Sequence, residues 1–173
     1  MTLSSSLPDR SHCAPAVTIL GIGNTLLGDD GVGVHVVRHL QGLAADGKVG
    51  LVDGGTLSFN LLPTIEATDR LIVVDAAMIG DEAGTVDCLV GASLDAFLGS
   101  AKRTAHEVGL RELFDMARIR DLLPSYRALI GIRPLSMEWS ESLSARVASA
   151  LPFAADLALR LAHEWLDLSN HPR

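Results

Sequence analysis

Three aspartates close or follow apolar runs that are typical of buried strands, and one histidine opens a later helical pattern. Asp30 lies in the segment GIGNTLLGDDGVG (residues 21–33) after the run AVTIL, Asp53 closes VGLVD and Asp75 closes RLIVVD. His106 precedes an amphipathic stretch in AHEVGL. Carboxylates and imidazoles transfer protons in catalysis and also bind borderline divalent metals such as nickel, zinc or cobalt. The residue types therefore predict acid–base or metal chemistry.

A mixed oxygen and nitrogen set remains when these side chains are weighed together: Asp30, Asp75 and His106. Two carboxylates and one imidazole leave coordination positions open on a metal, although the residue types do not select which metal is bound. Asp53 is the weaker candidate, because the glycines that follow it are an ordinary turn signal. Asp29 or Asp30 could alternatively cap the helix that follows, since aspartate is a favoured N-cap residue.

Other chemistries fit this sequence less well. The dinucleotide fingerprint requires a third glycine where Leu26 stands, and Asp29 and Asp30 would repel a pyrophosphate. Asp53 nevertheless ends the second strand as a ribose ligand would, so a Rossmann-like nucleotide or S-adenosyl binding module is the alternative. Walker A and G-x-S-x-G motifs are absent from the sequence. Cys88 lies in mid-strand, where a cysteine is typically packed and unreactive.

The elements that must position these residues alternate between strand and helix patterns. Five short apolar runs predict strands at 16–21, 49–53, 70–76, 84–90 and 127–132, and the alternation in 84–90 favours an edge position. Helical spacing predicts helices at 30–44, 57–67 and 106–122, then a short helix at 143–149 and a longer one from Pro152 to 167.

This order predicts an α/β fold, a three-layer sandwich with a mostly parallel five-stranded sheet and helices on both faces. Ligands of such sheets bind outside the carboxyl ends of the strands. Asp30, Asp75 and His106 are therefore expected to converge at one edge of the sheet.

Length and composition limit the classes of function. The 173 residues favour a single domain at 16–168 after a disordered tail at 1–15. The formal charge of −7 argues against nucleic acid, and no apolar run approaches the length that inserts into a membrane. With only two cysteines, a reducing cytoplasm is favoured. A monomer is expected, because one sheet accounts for the predicted helices.

The motifs GIGNTLLGDDGVG, DGGT (residues 53–56), VDA, AHEVGL and GIRP occur in the order of a known family. From residue 16 to 167, the sequence resembles the [NiFe]-hydrogenase maturation endopeptidases. The resemblance implies an endopeptidase that removes the C-terminal extension of a hydrogenase large-subunit precursor once nickel has been inserted. The precursor would be the protein partner, and the freed tail would let the large subunit close and join its small subunit.

The same resemblance implies roles for individual residues. The family's metal-contacting positions fall on Asp30, Asp75 and His106, which would also be the catalytic set. Asp53 would orient a metal-contacting residue or act as the base. The family implies no permanent metal, so the nickel would be carried by the substrate. Some members have glutamate at the first position, and Asp30 is shorter by one methylene.

Overall fold

The computed structural model describes residues 15–43, 47–100 and 105–170, without the side chains of 105–108 and 169–170. The tail predicted at 1–15 thus lies outside the described residues except for its last position. The strands are β1 Val17–Ile22, β2 Val49–Gly55, β3 Arg70–Ala76, β4 Val86–Val90 and β5 Tyr126–Ile132. The α-helices are α1 Val32–Leu40, α2 Leu62–Ala67, α3 Ala92–Gly99, α4 Ala105–Ile119 and α5 Ala145–Asn170, with 3-10 helices at Gly28–Gly31 and Phe59–Leu61.

The strands form one sheet in the order β2-β1-β3-β5-β4. β1, β2, β3 and β5 are parallel, whereas β4 pairs antiparallel with β5 and lies at the edge. The mostly parallel sheet and the edge position of β4 confirm the predictions. The central strands β1 and β3 are buried on both faces, as their uninterrupted aliphatic runs indicate.

Two aliphatic cores, one on each face of the sheet, complete the three layers. On one face α1 and α5 pack against alternate residues of the strands, among them Ile19, Ile72, Val74 and Ile130. On the other face α2, α3 and α4 cover the intervening residues, such as Leu20, Val73 and Leu129. Trp165 of α5 is a core residue, as its place on the apolar stripe of the helix predicts.

Two glycines of the segment 21–33 let α1 approach the sheet closely. A Cβ atom added to Gly33 would lie 2.1 Å from the carbonyl oxygen of Val74 and 2.5 Å from that of Ile22. A Cβ atom on Gly21 would lie 2.1 Å from the carbonyl oxygen of Gly33. Real Cβ atoms do not come so near to backbone, so these positions admit only glycine without a shift of the helix.

The C-terminal segment corrects a prediction, because a single helix, α5, runs through Pro152 without a break. A proline inside a helix removes one hydrogen bond and crowds the preceding turn. Here Pro152 and Ala148, whose carbonyl loses its donor, are both exposed, so water can bind that carbonyl. Val147 before the proline and Ala154 after it belong to the same core, which holds both halves of the helix on the sheet.

Smaller differences concern the ends of elements. Helix α1 begins at Val32 and not at residue 30, because Gly28–Gly31 forms a 3-10 helix. The segment 57–67 is divided into the 3-10 helix Phe59–Leu61 and α2, whose first turn contains Pro63. Helix α3 was not predicted, since it is short and only two of its residues are buried.

Candidate functional site

Asp30 lies in the 3-10 helix between β1 and α1 and is 4% exposed. Its Oδ2 accepts a hydrogen bond from the backbone N–H of Asn24 at 2.8 Å. The capping alternative is wrong, because the N-cap of α1 is Gly31 and no side chain caps either this helix or the 3-10 helix before it. Asp30 is therefore a buried carboxylate held at the end of β1, for which helix capping gives no explanation.

Asp75 is the penultimate residue of β3 and is 1% exposed. Side chains alternate along a strand, and Val73 and Ala77 pack in the core beneath α4, so Asp75 belongs to that face. The start of α1 reaches the same strand end, because Gly33 lies against the carbonyl of Val74. The carboxyl end of β3, where Asp75 lies, is thus next to the turn that carries Asp30.

His106 lies in the first turn of α4, but its side chain lies outside the described residues. Helix α4 packs through Leu110, Leu113 and Phe114 on the face of the sheet to which Asp75 belongs. Among the side chains that the structure describes, no three histidine, cysteine, aspartate or glutamate residues form a metal-binding cluster. The contact of His106 with the two aspartates stays a prediction.

Asp53 is separated from this arrangement. Val49 and Leu51 of the same strand pack on the α1 face, and alternation places Asp53 there as well. Its Oδ2 accepts hydrogen bonds from Nε and Nη2 of Arg38 on α1, at 3.2 and 3.0 Å, and its Oδ1 accepts one from the N–H of Gly55 at 3.0 Å. Asp53 thus binds α1 and the end of β2, and its role as an orienting residue or base stays a prediction.

The comparisons with known proteins decide what this arrangement belongs to. The family model HycI, hydrogenase maturation protease, matches residues 34–161. The chain belongs to the hydrogenase maturation protease family. This protein is therefore a peptidase. The alternative of a Rossmann-like nucleotide or S-adenosyl binding module is not needed to explain the sequence motifs.

Individual relatives agree with this assignment. The hydrogenase expression/formation protein HupD of Rhodobacter capsulatus is 36% identical over 151 residues, which are 86% of this chain and 72% of that protein. The hydrogenase 2 maturation protease of Escherichia coli K12 is 31% identical over 150 residues, 86% of this chain and 91% of that protein. The solved structure of the hydrogenase maturating endopeptidase HybD from E. coli superposes with a TM-score of 0.78 at 29% identity, covering 86% of this chain and 92% of that one.

A second aspartate of the protease, Asp29, has a role that the sequence did not reveal. It is fully buried and its carboxylate accepts hydrogen bonds from Leu135, Ser136 and Ser144. Burial raises the pKa of Asp29, but the hydrogen bonds from Ser144, Leu135 and Ser136 outweigh it and leave the pKa below its ordinary value. Asp29 is therefore held as a carboxylate at neutral pH.

Beside α4, the protease has a shallow apolar groove of about 300 Å³. Its walls are the segment after β2, with Leu57 and Phe59, and the second turn of α4, with Gly109, Glu112 and Leu113. Phe59 is 64% exposed, so its ring is available to a bound apolar group. The groove begins one helical turn after His106.

Within the described ranges, the protease has no helix long and apolar enough to cross a membrane.

His35 gives the protease a pH-dependent stability. Burial, followed by the charge of Arg38, lowers the pKa of His35 below its ordinary 6.5, and the opposing effect of Asp53 is smaller. The unfolded chain therefore takes up the proton first as the pH falls, so this contribution to stability is present above pH 6.5 and is lost as the pH falls through the lower folded-state pKa.

We therefore expect His35→Gln to lose less free energy of unfolding than wild type between about pH 7.5 and about pH 5. Urea unfolding followed by circular dichroism at both pH values measures this difference. An equal loss in the two proteins would mean that His35 does not contribute.

Proposed function

We propose that this protease removes the C-terminal extension of a [NiFe]-hydrogenase large-subunit precursor after nickel has been inserted. Membership in the hydrogenase maturation protease family carries this proposal. The pair of buried carboxylates at the carboxyl ends of β1 and β3 supports it, because an acidic site of this kind favours a cation. The nickel belongs to the substrate in this proposal.

Asp30, Asp75 and His106 engage the nickel of the precursor. Carboxylate oxygens and an imidazole nitrogen are ligands that nickel accepts, and three protein groups leave room for ligands that the precursor supplies. A precursor without nickel lacks the group that these side chains bind. The site therefore distinguishes the loaded from the unloaded precursor by the metal itself.

Hydrolysis can proceed at this site by two routes. In one, the nickel polarises the scissile carbonyl and water attacks its carbon atom. In the other, an aspartate accepts a proton from that water as the general base. In both, the oxygen of the water bonds to the carbonyl carbon, the C–N bond breaks, and a proton from the water goes to the nitrogen of the leaving amine. The apolar groove beside α4 is the surface on which we place the extension, since it begins one helical turn after His106 in the chain.

The deciding experiment compares nickel-loaded and nickel-free precursor at equal concentration. Mass spectrometry follows the release of the C-terminal peptide, and precursor that already lacks the extension is the control. We expect cleavage of the loaded form and none of the unloaded form. Equal cleavage of both would contradict nickel recognition, and cleavage of neither would contradict the proposed substrate. The cytoplasmic location and the monomeric state stay predictions.

A further inference from the structure

The hydrogen bonds that the carboxylate of Asp29 accepts come from one distant segment, residues 135–144. Its Oδ2 accepts from the N–H of Leu135 at 2.8 Å, the N–H of Ser136 at 3.1 Å and the hydroxyl of Ser144 at 2.9 Å. Its Oδ1 accepts from the N–H of Ser144 at 2.7 Å. Four donors surround one carboxylate that is 0% exposed. Asp29 is therefore built into the protein and does not face a substrate.

The backbone of the turn is bound to the same segment. The N–H of Gly28 donates to the carbonyl of Ser140 at 2.7 Å, and the N–H of Asp29 donates to that of Ser136 at 3.1 Å. In return, the N–H of Ser140 donates to the carbonyl of Leu26 at 3.0 Å. The segment 135–144 thus binds both the backbone of the 3-10 helix and the side chain of Asp29.

A carboxylate is required at this position because only donors face it. Asparagine has the same shape, but its NH₂ group is itself a donor. If its oxygen occupied the place with three donors, its NH₂ would face the N–H of Ser144. One hydrogen bond would be lost and two donors would be opposed in a buried place. A buried donor without its acceptor is costly, so the turn would move.

We propose that Asp29 is the positioning residue that aims the carboxylate of Asp30 at the carboxyl end of β3. In a 3-10 helix neighbouring residues are separated by about one third of a turn, so fixing one side chain fixes the direction of the next. The two adjacent aspartates thus have different roles. Asp29 is bound by the segment 135–144, and Asp30 contacts the nickel of the precursor. This inference rests on the proposed function, in which Asp30 contacts the nickel of the precursor.

The test measures kcat and KM for nickel-loaded precursor with Asp29→Asn and Ser144→Ala. Loss of a group that orients a metal-contacting residue typically lowers activity by about 10- to 100-fold. We expect Asp29→Asn to lower kcat by about that factor with KM within about threefold of wild type, since the groove beside α4 on which we place the extension is not altered. Ser144→Ala removes one of the four donors, and we expect a smaller fall in kcat of the same kind.

Ser142→Ala is the matched control, because this serine lies in the same segment and its side chain is exposed. We expect it to keep the wild-type kcat and KM. Each variant is assayed well below its own Tm, which thermal unfolding provides. Ser144 also accepts a hydrogen bond from Val147 in the first turn of α5, so a lower Tm is expected for its variant.

Each outcome decides for or against the proposal. Wild-type kcat in Asp29→Asn would overturn it, as would a raised KM with unchanged kcat, which would make the segment 135–144 a binding surface. If Asp29→Asn does not fold, Ser144→Ala carries the test, and wild-type kcat there overturns the proposal. Asp30→Asn in the same assay distinguishes a failure of the proposed function from a failure of this inference alone. Full activity of Asp30→Asn would refute the proposed site, whereas an inactive Asp30→Asn beside a fully active Asp29→Asn would refute only this inference.

Discussion

Asp75→Asn is expected to lower the rate of precursor cleavage by about 10²- to 10⁴-fold while the protein stays folded. Asparagine has the shape of aspartate but carries no charge, so it binds a metal weakly and does not accept a proton at neutral pH. Asp75 is 1% exposed near the carboxyl end of a central strand, and its neighbours in the chain, Val74 and Ala76, carry no carboxylate. Mass spectrometry of the released peptide gives the rate, and circular dichroism tests the fold.

Asp53→Asn is the informative comparison, because Asp53 also lies near the carboxyl end of a strand but is on the other face of the sheet with Arg38. We expect it to lower the rate by less than Asp75→Asn does. Asp156→Asn, on the exposed side of α5 beside Arg160, is the neutral control. A folded Asp75→Asn protein that cleaves at the wild-type rate would remove Asp75 from the site.

Gly33→Ala is expected to destabilise the protein by about 3 kcal/mol or more, at the upper end of what overpacking costs. The added Cβ would lie 2.1 and 2.5 Å from the carbonyl oxygens of Val74 and Ile22. Both are backbone atoms of the central strands, which cannot rotate away as the end of a side chain can. Helix α1 must therefore move off the sheet. Urea unfolding measures the loss of free energy.

Gly42→Ala is the control for this substitution. Gly42 follows α1, and a Cβ atom there would find nothing within 4 Å. We expect its free energy of unfolding to change by at most about 1 kcal/mol, with a gain as the favoured sign because alanine restricts the unfolded chain. If Gly33→Ala were no less stable than Gly42→Ala, the close approach of α1 to the sheet would not depend on Gly33.

Local patterns were sufficient to predict much of this fold. Uninterrupted aliphatic runs predicted the buried central strands, and alternation placed β4 at an edge, because burial on one or both faces of a sheet leaves a direct trace in the residue order. The placement of Asp30 and Asp75 at the same edge of the sheet could be predicted for a related reason. The carboxyl ends of parallel strands meet at one edge in any such sheet.

Pairs of residues that are distant in the chain could not be predicted in this way. Asp29 and Asp30 are the same residue type in adjacent positions. Only the segment 135–144, more than a hundred residues later, shows that Asp29 is bound within the fold, whereas Asp30 is the residue that we propose for the site. The face of the sheet on which Asp53 or Asp75 lies depends on the register of the whole strand. The continuity of α5 through Pro152 depends on a core that holds both of its halves.

The sequence by itself thus determined the elements, the edge at which the site forms and the residue types that it contains. Tertiary structure decided that Asp29 is bound within the fold, and the proposed roles of Asp30 and Asp75 rest on where folding places them. The physical reason is that hydrophobic periodicity is a property of neighbouring residues, whereas a carboxylate acquires its role from the donors and charges that folding brings to it.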